Sequence, residues 1–135
     1  MAGTPALEVK SFPDVFQYIS VICRTDGSGN VANNQILHYC EQETVVDAAF
    51  IRMAVGDDDA TFTLEKCTDG TATASGTDMS AALTHATSLN NKKSTFALIA
   101  TENIVPADSA ITLKVTGTST ATTVMVTLRI RTRVA

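Results

Sequence analysis

The chain has 135 residues, 44% of them apolar, which is enough for one domain and excludes a disordered polypeptide. Aromatics make up only 5% and Trp is absent, so the core must come from Val, Ile, Leu and Ala, while the many Thr and Val favour pleated sheet over helix. A net charge of −4 argues against a life on nucleic acid, and no apolar run approaches membrane-spanning length.

Residues 1–14 hold Pro5 and Pro13 among small and charged residues without period, and read as an extended N-terminal arm preceding a domain over 15–135. Val15 to Arg24 is a strand by composition. Apolar on both faces through Phe16, Tyr18, Ile19, Val21 and Ile22, it should lie centrally or beneath a second layer. Asp26 to Asn30 is a Gly-rich turn, and Val31 to Glu43 a loop with at most a short strand. Thr44 to Val55 is a second major strand, apolar on both faces, ending in the acidic turn Asp57-Asp58-Asp59.

Thr61 to Lys66 alternates, with Phe62 and Leu64 inward and Thr61, Thr63 and Glu65 outward. After the turn at Asp69-Gly70, Thr71 to Thr77 reads as a polar edge strand or an exposed loop. Ala81 to Leu89 is the one segment with helical spacing. Thr95 to Thr101 is a further strand, and Pro106 to Ser109 turns the chain into its most regular stretch.

That stretch alternates strictly on both sides of Gly117 to Ala121, and reads as a long antiparallel hairpin. Ile111, Leu113, Val115, Val124, Val126, Leu128 and Ile130 form one face. Thr112, Lys114, Thr116, Thr123, Thr127, Arg129, Arg131 and Arg133 form the other, which is the candidate subunit interface. The three arginines are either a basic stripe for an acidic partner or a charge guard against edge pairing. Seven to eight strands at short intervals with almost no helix predict an all-β fold, a single antiparallel sandwich or jelly roll.

Residues that carry chemistry are sparse. Cys23, Cys40 and Cys67 are odd in number and form no C-x-x-C pair; Cys23 and Cys67 sit in strand-like runs where a reduced, buried thiol is expected, and synthesis in a reducing cytoplasm fits. His38 and His85 have no acid or thiol at catalytic or ligand spacing, no G-x-S-x-G elbow is present, and both read as polar loop residues. The acidic turn lacks the alternating ligands, Gly and late Glu of a calcium loop, and reads as a solvated hairpin tip. The Gly-rich turns lack the Lys-Ser/Thr of a phosphate loop. No cofactor, metal or catalytic residue is therefore expected.

Phe62-Thr-Leu64, Asp69-Gly70, Ser88-Leu89-Asn90, Ile104-Val-Pro-Ala-Asp108 and Ile111-Thr-Leu113-Lys-Val115-Thr-Gly117 together resemble the small β-sandwich virion proteins of tailed bacteriophages. The likeness covers roughly residues 60–132. It departs at Asp108, which follows Ala107 without the Gly usual in that turn. The resemblance implies a non-enzymatic capsid decoration (cement) protein, assembled in the host cytoplasm onto the capsid exterior. Its partners would be the major capsid protein and further copies of itself as a homotrimer, with neither nucleic acid nor membrane. A head-fibre base or tail component is the nearest alternative. A carbohydrate-binding sandwich is the third reading; it has only Tyr18 and Tyr39 to offer sugar rings, with no Trp.

Overall fold

The computed structural model describes residues 16–133, so the expected arm at 1–14 lies outside the described residues. The nine strands are β1 (Gln17–Ile22), β2 (Gln35–Cys40), β3 (Thr44–Val55), β4 (Thr61–Thr68), β5 (Thr77–Asp78), β6 (Lys93–Thr95), β7 (Ile104–Val105), β8 (Ser109–Thr116) and β9 (Thr122–Thr132). They form two antiparallel sheets. One runs β1-β9-β3-β6, with β7 also on β3; the other runs β2-β8-β4-β5. This is the predicted all-β sandwich.

The expected hairpin does not form. β8 pairs with β2 and β4, whereas β9 pairs with β1 and β3, so the five residues 117–121 carry the chain from one sheet to the other. Strict alternation specifies that each strand buries one face; it does not choose the neighbour. Both apolar faces point inward as expected, and Ile111, Leu113, Val126 and Leu128 are fully buried. They face each other across the sandwich alongside Phe62, Leu64, Ile51 and Met53, also fully buried.

β3 is the long central strand, with a bulge between Val46 and Ala48. β1, expected to lie centrally or beneath a second layer, is instead the last strand of its sheet among the described residues, with its outer face uncovered by them. Its inward side chains, Ile19 and Val21, pack on the core, while outward Tyr18 and Ile22 are 64% and 62% exposed. Along the opposite side the sheets are joined. Met79 N–H donates to Leu64 O (2.7 Å), Leu83 and Phe62 exchange backbone bonds (2.8 Å each), and Ile99 N–H donates to Met79 O (2.8 Å).

The one segment with helical spacing, 81–89, forms no α-helix. Only a short 3-10 turn at Thr87–Leu89 forms, because the preceding residues give their backbone groups to these bridges. The segment 71–77 contributes a 3-10 turn at Thr73–Ser75 and then β5. It folds over the outer face of β4. A Cβ on Gly76 would lie 2.6 Å from Cys67 Sγ, and that thiol reaches Thr73 O at 3.6 Å. The cover lies on Glu65 and Cys67, which are buried together with Thr63 and Thr112, four residues that the strand pattern points outward.

Candidate interaction surface

The eight residues expected to share one face are divided by the crossover. Thr112, Lys114 and Thr116 belong to the β2-β8-β4-β5 sheet, and Thr123, Thr127, Arg129 and Arg131 to the outer side of the other, with Arg133 just past the end of β9. Thr112 is completely buried, with its hydroxyl 3.7 Å from Cys67 Sγ. Lys114 is engaged by Asp78 (3.1 Å) and Glu65 (3.6 Å). The arginine stripe is mostly neutralised by the chain itself: Arg131 pairs with Asp47 (3.3 Å) and Arg133 with Glu43 (3.1 Å). The eight residues therefore do not share one face.

Strand register assembles a different surface on the outside of the β1-β9-β3-β6 sheet. One row runs Tyr18, Arg129, Ala48; the next Ser20, Thr127, Phe50, Thr95; the third Ile22, Met125, Arg52, Lys93. The middle row begins with two small residues whose hydroxyls bond each other at 2.9 Å, leaving a low corridor between the larger rows. It leads to a groove of about 290 Å³ between Tyr18, Phe50, Arg52, Lys93 and Met125. Through Arg52 and Met125 the groove continues into a second hollow of about 260 Å³ beside Ile22.

The electrostatics of this face are one-sided. Lys93 Nζ lies 4.3 Å from the centre of the Phe50 ring, and the Arg129 guanidinium 4.9 Å from that of Phe16. Arg52 and Lys93 are direct cross-strand partners, and like charges so placed destabilise a sheet. Neither they nor Arg129 has a carboxylate partner among the described residues. Arg129 Nε is buried there without a hydrogen-bond acceptor.

The other residues singled out are structural. His85, expected in a polar loop, is fully buried. Its Nε2–H donates to Leu89 O (2.9 Å), which leaves Nδ1 to accept from the Ser94 hydroxyl (2.8 Å), so the ring fastens the 85–94 segment to itself. Asp57 is not a solvated tip: its carboxylate accepts from the N–H groups of Asp59, Ala60 and Thr120 and from the Thr120 hydroxyl. Those bonds, that from Asp59 foremost, hold its pKa below the ordinary carboxylate value. Asp58 accepts from Thr87 N–H (2.9 Å). No cluster of three or more potential metal ligands occurs among the described residues.

A third hollow, about 320 Å³, opens between Gln17, Thr44 and Ile130 on one sheet and His38, Tyr39 and Cys40 on the other. Burial lowers the His38 pKa and raises that of the Cys40 thiol, so near neutral pH both are uncharged and form no thiolate-imidazolium pair. Cys23, Cys40 and Cys67 are all free and buried.

One signal for the surface was present in the amino-acid order. Phe16 to Ile22 is apolar on both faces, which serves a strand covered twice or a strand with an outer face meant for contact; pairing decides between them. No family model, curated protein or solved structure matches the chain.

Proposed function

We propose that the chain is a structural virion protein of a tailed phage, decorating the outside of the major capsid lattice and stabilising the head, with a homotrimer as its working form. The phage context, the capsid partner and the trimer rest on the sequence resemblance over residues 60–132. The observation that carries a contact role is the outer face of the β1-β9-β3-β6 sheet, where Phe16, Tyr18 and Ile22 stand 47–64% exposed beside cations with no carboxylate partner among the described residues. Exposed aromatic and aliphatic side chains grouped on a rigid sheet favour association with another surface. Mechanically, such a protein acts by adding buried interface between neighbouring capsid subunits.

Mass spectrometry of gradient-purified virions tests the reading, and the chain is expected at a fixed ratio to the major capsid protein. Particles that lack it overturn the proposal. Light scattering on the isolated chain is expected to give three times the monomer mass.

A further inference from the structure

We propose that residues 71–78 form a pH-sensitive flap, shut over Glu65 and Cys67 while the Glu65 carboxyl holds its proton and released when it ionises. The device belongs to the outer face of the β2-β8-β4-β5 sheet and operates whether or not the chain sits in a virion.

The flap rests lightly on its sheet. None of residues 71–78 is buried, so no apolar side chain anchors them in the core. β5 contributes two cross-strand pairs, Glu65↔Asp78 and Lys66↔Thr77. Other ties are the Thr71 N–H to Thr68 O (3.0 Å), a hydroxyl pair between the same two residues (3.0 Å) and the Cys67 thiol at 3.6 Å from Thr73 O. Gly70 leads into the segment at φ +82°, while Met79 behind it is fully buried and donates its N–H to Leu64 O (2.7 Å). A segment with so few buried apolar contacts, fixed at its far end, opens at small cost without disturbing the core.

Beneath it two carboxyl groups share one ammonium. Glu65 on β4 and Asp78 on β5 are cross-strand partners, and Lys114 on β8 reaches Asp78 at 3.1 Å but Glu65 only at 3.6 Å. The Glu65 side chain is 3% exposed against 48% for Asp78, and its Oε1 is buried with no hydrogen-bond partner among the described residues. Residues 71–76 bring no titratable group, Cys67 is the next titratable residue on this face of β4, and Lys66 on the opposite face is taken by Glu102 (3.0 Å). Protonated, Glu65 can donate to the Asp78 carboxylate; ionised, it faces a second anion away from water. Burial foremost raises its pKa; Lys114 opposes this and Asp78 adds to it. Opening hydrates the carboxyl, so the closed form binds the proton more tightly. Closure is fully favoured below the open-state pKa and weakens as pH rises from the open to the closed value. The open flap bares the Cys67 thiol and the β4 backbone at Glu65 and Lys66, both covered when it is shut.

Amide hydrogen exchange on the full chain, divided by the intrinsic rate at each pH, tests the flap. Protection of the amides pairing β5 with β4 is expected to fall as pH rises, roughly tenfold for each pKa unit that separates the closed from the open carboxyl, while the β3–β9 amides hold theirs. The fall should level off where carbon NMR shows the Glu65 carboxyl titrating. Glu65→Gln is expected to keep constant protection across the same range. Alkylation of Cys67 by iodoacetamide, normalised to the rate in the unfolded chain, is expected to rise in step in the wild type. Protection independent of pH in the wild type overturns the proposal, and so does constant Cys67 alkylation. A fall that Glu65→Gln shares, or one that levels off away from the Glu65 titration, overturns it too. All but the variant comparison need only the wild type, so they decide even where Glu65→Gln does not fold.

Discussion

Replacing Asp57 tests whether one carboxylate holds the loop end of the sandwich together. Its Oδ1 accepts from Asp59 N–H (2.8 Å) and Ala60 N–H (3.2 Å), and its Oδ2 from Thr120 N–H (2.8 Å) and the Thr120 hydroxyl (3.3 Å). These bonds join the β3–β4 turn to the 117–121 crossover. Hydrogen bonds to a charged group contribute about 1.5–3 kcal/mol, and a stranded buried donor costs roughly 1–3 kcal/mol. Some of these donors regain water in so superficial a turn, so Asp57→Ala is expected to lose about 3 kcal/mol, or roughly 10 °C in Tm for a chain of this size.

The pH dependence follows from the lowered pKa. The folded state holds its proton less tightly than the unfolded state, so the carboxylate's contribution is fully present above the unfolded carboxylate pKa. It is lost as pH falls through the folded value. Urea unfolding of wild type and Asp57→Asn between pH 7 and pH 2 measures this, and the stability gap is expected to close toward the acid end. A loss under about 1 kcal/mol for Asp57→Ala, or a gap constant with pH, refutes the reasoning.

Glu65 is expected to behave oppositely. Burial raises its pKa, partly countered by Lys114, so its ionisation removes stability as pH rises from the unfolded to the folded value. Thermal melts of Glu65→Gln should gain on wild type as pH increases across that interval; an unchanging difference rejects the assignment. Gly56→Ala places a Cβ 2.5 Å from the carbonyl oxygens of His85 and Ala86, and is expected to cost about 1–3 kcal/mol in chemical denaturation, as overpacking does. His85→Ala strands the Leu89 carbonyl and the Ser94 hydroxyl, with an expected loss of about 3 kcal/mol measured the same way. Burial pushes the Cys23 thiol up to about 11, leaving roughly one part in a thousand ionised at pH 8. Iodoacetamide should therefore leave Cys23 unmodified in native protein and label all three cysteines in guanidinium, as read by mass spectrometry.

The amino-acid order by itself determined that this is a sheet protein and which faces of its strands are dry. Ile111 to Val115 and Val124 to Ile130 alternate with period two, and each places its apolar set in the core. Local order could not choose partners. The same alternation suits a hairpin or two strands facing each other across a sandwich, and only the packed structure sends β8 and β9 to opposite sheets. Burial of the polar residues was equally hidden, because Thr112 meets Cys67, 45 positions earlier in the chain, Asp57 finds its partners in two turns, and His85 finds its own in a 3-10 turn and on β6.

The interaction surface divides in the same way. Composition showed a strand at Phe16 to Ile22 apolar on both sides, but not that among the described residues it would stand last in its sheet with one of those sides uncovered. The opposed cations Arg52 and Lys93 are 41 positions apart and meet only through the β3–β6 register. Period and composition are local properties and survive into the fold unchanged; strand order and register come from closing one core around many strands at once, and these decided which residues meet the outside.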